Sequence, residues 1–174
     1  MPQKPVGTRI RPTADWFAGA TAIAGGIARS AVGNGLQLTL FNDAPAGQHL
    51  WLWWMSIFND AEGTYQLVSF AGNQGNMIQQ GAWITVGRGS TFGQVYVTDV
   101  PSAGFDFPPP GTQRGSIGAS GLEDGSVQNF TPPGPLIVIP PGFSFGAFND
   151  YITGGTSAAT FAITFYYSIL PYIP

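Results

Sequence analysis

Residues Leu36 to Phe58 read LQLTLFNDAPAGQHLWLWWMSIF, two apolar runs joined by a polar insert. Leu36, Leu38 and Leu40 alternate with Gln37 and Thr39, the period-2 pattern of a strand with one face buried and the other wetter. Asn42, Asp43, Pro45 and Gly47 then interrupt it. Asn and Asp hydrogen-bond nearby backbone, Pro sets φ and Gly accepts positive φ, so the chain reverses here without strain. His49 to Phe58 resumes as a second strand carrying Trp51, Trp53 and Trp54, and at roughly 3.3 Å per residue it runs for about 30 Å. The two runs are expected to form a hairpin, and so heavy a strand needs an opposing sheet. Strict alternation puts Trp51 and Trp53 on one face and Trp54 on the other, with Leu50 and Leu52. Stacked tryptophans can hold a sugar or a base, but on a central strand they are more often core, and core is the preferred reading.

The same cadence continues along the chain. Thr64 to Phe70 sets Tyr65, Leu67 and Ser69 against Gln66, Val68 and Phe70, and Gln94 to Val100 sets Val95 and Val97 against Tyr96 and Thr98. Ala82 to Val86 is a further short strand. Leu136 to Ile139 is an apolar run ended by Pro140, Pro141 and Gly142, after which Phe143, Phe145 and Ala147 alternate with Ser144, Gly146 and Phe148. The last strand, Ala158 to Leu170, places Phe161, Ile163, Phe165, Tyr167 and Ile169 on one face. Residues 72–81 are polar and Gly-containing. Residues 101–121 are rich in Pro and Gly and are expected to be a long loop whose Phe105 and Phe107 offer a subunit contact. Repeated strand and turn signals, with no helical period beyond residue 34, predict an all-β antiparallel sandwich or barrel.

A chain of 174 residues suits one domain. It contains no Cys, which excludes a disulfide framework, a thiolate metal site and a cysteine nucleophile. Charged residues make up 9% of the chain, against about 25% in ordinary globular domains. Two explanations stand side by side: a turn-rich β-protein, or a surface largely covered by other subunits. Lys4, Arg9, Arg11 and Arg29 lie in the first 30 residues with Asp15 alone opposing them, whereas the remainder is acidic. Nucleic-acid binding needs a denser basic cluster, so no such partner is expected. Residues 1–34 are read as an extended, basic, Pro-containing arm preceding a sandwich over 35–174. The arm is expected to dock on a neighbouring copy, with Lys4, Arg9 and Arg11 pairing with carboxylates and Trp16 and Phe17 as apolar anchors. The apolar stretch Trp16 to Ala28 has 13 residues, short of the roughly 20 that cross a bilayer. Gly19, Gly25 and Gly26 also count against a signal helix, and no membrane partner is expected.

Residues able to do chemistry are few. His49 is the one histidine, and no nucleophile-elbow sequence accompanies it. Asp60 with Glu62 and Glu123 with Asp124 sit in Gly-containing turns. Calcium takes six to eight oxygens, so a solvated turn is the simpler reading of each pair. Gly87 to Ser90 lacks the Lys of a phosphate-binding loop. Asn129, Phe130 and Thr131 match a glycosylation acceptor, a triplet that also arises by chance. The expectation is a protein that is not an enzyme, with no catalytic residues, no cofactor and no metal.

Two motifs resemble those of phage and viral virion proteins with a tumour-necrosis-factor-like jelly roll. They are Leu38 to Phe41 leading through Asn42-Asp43-Ala44-Pro45-Ala46-Gly47 into His49 to Ile57, and the closing Ile137-Val138-Ile139-Pro140-Pro141-Gly142-Phe143 before the aromatic last strand. The likeness spans about residues 35–170 by layout. It implies an antiparallel jelly-roll β-sandwich located in the virion, a capsid decoration or cement protein or minor head protein. It further implies a homo-oligomer, with a trimer favoured, and partners such as the major capsid protein. A receptor- or glycan-binding module of a fibre or tail is the alternative.

Overall fold

The computed structural model describes residues 22–29, 31, 35–59, 65–83, 92–100, 113–115, 126–130, 135–149 and 160–171. In chain order the strands are β1 (Ala22–Arg29), β2 (Gly35–Phe41), β3 (Gln48–Asn59), β4 (Tyr65–Ala71), β5 (Asn76–Gln80) and β6 (Ala82–Trp83). There follow β7 (Gln94–Val100), β8 (Gln113–Gly115), β9 (Ser126–Phe130), β10 (Ile137–Ile139), β11 (Phe143–Asn149) and β12 (Thr160–Pro171). They form two antiparallel sheets. The first runs β10-β3-β12-β1-β6, with β9 sharing the edge of β3 used by β10; the second runs β5-β7-β2-β11-β4-β8. The expected all-β class is therefore observed, as a β-sandwich.

Alternation builds the core between the sheets. Leu36, Leu38 and Leu40 of β2, Val95 of β7 and Phe145 and Ala147 of β11 face Leu50, Leu52, Met55 and Ile57 of β3 and Phe161, Ile163, Phe165 and Tyr167 of β12. Burying each large side chain contributes roughly 1.5–3 kcal/mol, so β3 and β12, paired along nearly their whole length, carry a large share of the stability. On the far side of the second sheet, Val68, Phe70 and Phe148 make a smaller buried cluster.

The two turn motifs meet at one end of the sandwich. Asn42 Oδ1 accepts from the Ala44 amide at 3.0 Å, the local turn its position suggests. Its Nδ2 donates to the carbonyls of Gln48 and, at 2.9 Å, Ile139. The Asn42 amide donates to the Phe143 carbonyl, and the Gly142 amide to the Asn42 carbonyl. Gly47 and Gly142 take φ of 84° and 80°, values that residues with a Cβ rarely adopt. Asn42 is thus a buried clamp between the two sheets.

Several expectations are corrected. β2 and β3 do not form a hairpin: β2 pairs with β7 and β11, β3 with β12, β9 and β10. The insert at 42–47 reverses the chain, but six residues are long enough to carry it from one sheet to the other, and turn chemistry does not specify which. Ala22–Arg29, inside the segment 1–34 read as an arm, is a strand of the first sheet, in register with β12 from Ala22↔Tyr167 to Arg29↔Thr160. Its Ala and Gly content hid it: Ala22 and Ala24 are buried, and a Cβ on Gly26 would run into Ile78 Cδ1, so Ile78 of β5 fills the space. Strand β5 falls in 72–81, read only as polar and Gly-containing, and β8 in 101–121, read as a long loop, while β9 covers part of the glycosylation triplet.

Candidate interaction face

β3 departs from strict alternation at one position. Trp54 is in register with Tyr166 and Leu52 with Tyr167, leaving Trp53 as the extra residue of a β-bulge. Leu50, Leu52, Met55 and Ile57 point into the core, so Trp51, Trp53 and Trp54 all lie on the outer side of the first sheet, half-buried. Core was the preferred reading for these tryptophans; all three lie outside it, Trp51 and Trp53 on the side opposite the buried Leu50 and Leu52 by plain alternation and Trp54 because of the bulge. Trp54 stacks on Tyr166 with ring centroids 4.2 Å apart, and Trp51 on Trp53 at 6.2 Å. The Trp53 indole N–H donates to Ser168 Oγ at 3.1 Å. The chain did carry a signal for this: the buried aliphatic positions step 50, 52, then 55, 57, and a jump of three within a strand marks a bulge.

Register lays out the rest of the face. One row across β1, β12 and β3 is Ile23, Tyr166 and Trp54; another is Ile27, Ala162 and Phe58; between them lies Gly25, Thr164 and Ser56. None of these nine positions is charged. Ile27 is 66% exposed, and the other residues of the apolar rows are half-buried. A sheet face open to water ordinarily alternates to polar and charged side chains; this one presents two apolar rows.

The remaining polar groups are structural in geometry. Asp43 accepts from the Gly93 amide at 2.7 Å and from Gln94 Nε2 at 2.8 Å, and Gln94 Oε1 accepts from the Tyr96 hydroxyl. Alongside, the buried Tyr167 hydroxyl donates to the Phe92 carbonyl at 2.6 Å. Burial, and secondarily the Asp43 carboxylate, push the Tyr167 phenol well above its ordinary value. Gly81 turns the chain from β5 in one sheet to β6 in the other, and its amide donates to the Gly93 carbonyl. Past Ile23, where β6 ends, the Gly25 amide of β1 donates to Gln79 Oε1 at 2.6 Å. These contacts tie the sheets together at one corner.

His49 is half-buried at the start of β3, and among the described residues no three His, Cys, Asp or Glu side chains converge as a metal site would require. Lys4, Arg9, Arg11, Trp16, Phe17, Phe105 and Phe107, expected at subunit interfaces, lie outside the described residues, as do Asp60, Glu62, Glu123 and Asp124. Among the described residues no helix is long and apolar enough to cross a membrane. Comparison with protein-family models, with curated proteins and with solved structures finds no match to this chain.

Proposed function

We propose that the chain is a non-enzymatic structural subunit of a virion, a capsid decoration, cement or minor head protein, built as a jelly roll and working as a homo-oligomer, with a trimer favoured. The observation that carries the proposal is the pair of uncharged, apolar rows on the outer face of the first sheet, Ile23–Tyr166–Trp54 and Ile27–Ala162–Phe58. Covering those rows with a second copy removes apolar area from water and brings no like charges together. Arg29, exposed two residues beyond Ile27 on the same side of β1, is one cation at the rim of these rows, whereas nucleic-acid binding takes a basic cluster. Sparse charge over the whole chain, 9%, suits a protein whose surface is shared with neighbours.

Strand pairing supports the jelly roll. Setting aside β5 to β7, the pairs are β1 with β12, β2 with β11, β3 with β9 and β10, and β4 with β8, first against last and inward. β12 also pairs with β3 and β11 with β4. That is the pattern of a two-stranded ribbon wrapped around itself. Support for a virion comes from the resemblance of the two turn motifs. In the assembled particle Lys4, Arg9, Arg11, Trp16 and Phe17 supply contacts to adjoining virion proteins such as the major capsid protein, as do Phe105 and Phe107.

A receptor- or glycan-binding module of a fibre or tail is the second reading, favoured by the stacked pair Trp51 and Trp53 on the outer side of the sheet, since aromatic faces stack on sugar rings. Light scattering on the purified chain separates the two. The expected mass is that of three 18.3 kDa copies, falling towards one copy in Ile27→Lys with an unchanged far-UV circular dichroism spectrum. A wild-type protein that stays monomeric at high concentration refutes the assembly face, and binding to a glycan array by that monomer establishes the second reading.

A further inference from the structure

We propose that the outer face of the second sheet holds an ordered, bridging water beneath residues 72–75, gripped by Gln37, Thr39 and Thr98. β4 and β5 belong to the same sheet but are separated in it by β11, β2 and β7, so residues 72–75 must cross those three strands. They cross on the outer side. Ser144 Oγ, on that side of β11, donates to the Gly72 carbonyl at 2.7 Å. Gln37 Nε2, on that side of β2, donates to Gln74 Oε1 at 3.4 Å. A Cβ on Gly75 would collide with the Val97 carbonyl and Thr98 Oγ1. Glycine at 72 and 75, each with φ near 80°, lets the strap turn and lie this close.

Beneath the strap, Gln37 and Thr39 are both 0% exposed. Gln37 Oε1, Thr39 Oγ1 and Thr98 Oγ1 are buried and make no hydrogen bond within the protein. Register places them together: Gln37 is opposite Thr98, and Thr39 opposite Tyr96, on adjacent strands. Same-face positions two apart along a strand, and diagonal neighbours across a pair, are roughly 7 Å apart. Backbone positions that far apart leave short hydroxyls out of direct reach, yet side-chain oxygens that lean inward to within about 5 Å of one another are spanned by one water with two bonds of about 2.8 Å.

Buried polar atoms are nearly always partnered, and a water needs two to four polar partners. Three oxygens on one small patch meet that need. They do not suit a calcium ion, which takes six to eight oxygens, and no carboxylate is among them.

The sign of a stability change tests the proposal. Thr39→Val keeps the shape and removes the hydroxyl. If the hydroxyl holds a water that also serves Gln37 Oε1, the variant melts at a lower temperature than the wild type. If the hydroxyl is bare, deleting an unsatisfied polar atom leaves the melting temperature unchanged or raises it, and the proposal fails. Thr98→Val is expected to move in the same direction as Thr39→Val. A crystal structure of the wild-type chain decides independently of any variant's folding. Density for an ordered oxygen within about 3.2 Å of Thr39 Oγ1 and Gln37 Oε1 supports the water; a dry contact, or a Gln37 amide bonded directly to a threonine hydroxyl, overturns it.

Discussion

Removing one oxygen atom tests the corner that joins the two sheets. Tyr167 is 0% exposed, its ring belongs to the core, and its hydroxyl donates to the Phe92 carbonyl at 2.6 Å. Tyr167→Phe leaves the ring packing in place and deletes that bond. A net hydrogen bond is worth roughly 1 kcal/mol and a buried acceptor deprived of its donor costs about 1–3, so the expected loss at neutral pH is about 1–2 kcal/mol. For a chain of this size that lowers the melting temperature by about 2–8 °C.

The pH dependence adds a second signature. Burial and Asp43 raise the phenol's pKa in the folded protein above its ordinary value of 10.0. The folded state therefore holds the Tyr167 proton more tightly than the unfolded chain, and this contribution is fully present below pH 10. It is lost as the pH rises further, at up to 1.36 kcal/mol per pH unit. The wild type shows that loss and Tyr167→Phe does not, so their stabilities, measured by urea denaturation, converge above pH 10 and cross about one unit higher. Parallel curves, or a variant as stable as the wild type at pH 7, would show that Tyr167 does not lock the corner.

Two further substitutions probe how the sheets are joined. A Cβ on Gly146 would strike the Leu38 carbonyl and the Thr39 Cα across the β2–β11 ladder; because backbone must move, Gly146→Ala is expected to cost about 1–3 kcal/mol, read as a drop in denaturation midpoint. Asn42→Ala removes one acceptor and two donor contacts from a fully buried side chain and is expected to lose on the order of 3 kcal/mol. Asn42→Asp should cost more at neutral pH, since a carboxylate would face the Gln48 and Ile139 carbonyls.

Local chemistry in the chain was enough to determine the β class, most strand positions and their faces. Leu36, Leu38 and Leu40, Phe145 and Ala147, and Phe161 to Tyr167 are buried where a period of two puts them, because a strand in a sandwich has one core side and its side chains alternate. The turn at Asn42 to Gly47 was legible for the same reason: its side chain–backbone bond and its positive φ are properties of a few adjacent residues. Tertiary structure alone decided which strands pair. The insert after β2 permits a hairpin or a crossing between sheets with equal ease, and the choice falls to β11 and β12, more than 80 residues away in a chain of 174, which take the places beside β2 and β3. The outer tryptophan face arises in the same way. A bulge at Trp53 exists only relative to a partner strand, so strict alternation read along β3 placed Trp54 in the core. β1 is the extreme case: AIAGGIAR has too little apolar volume to announce a core strand, and becomes one because β12 supplies its hydrogen bonds and Ile78 fills the space above Gly26.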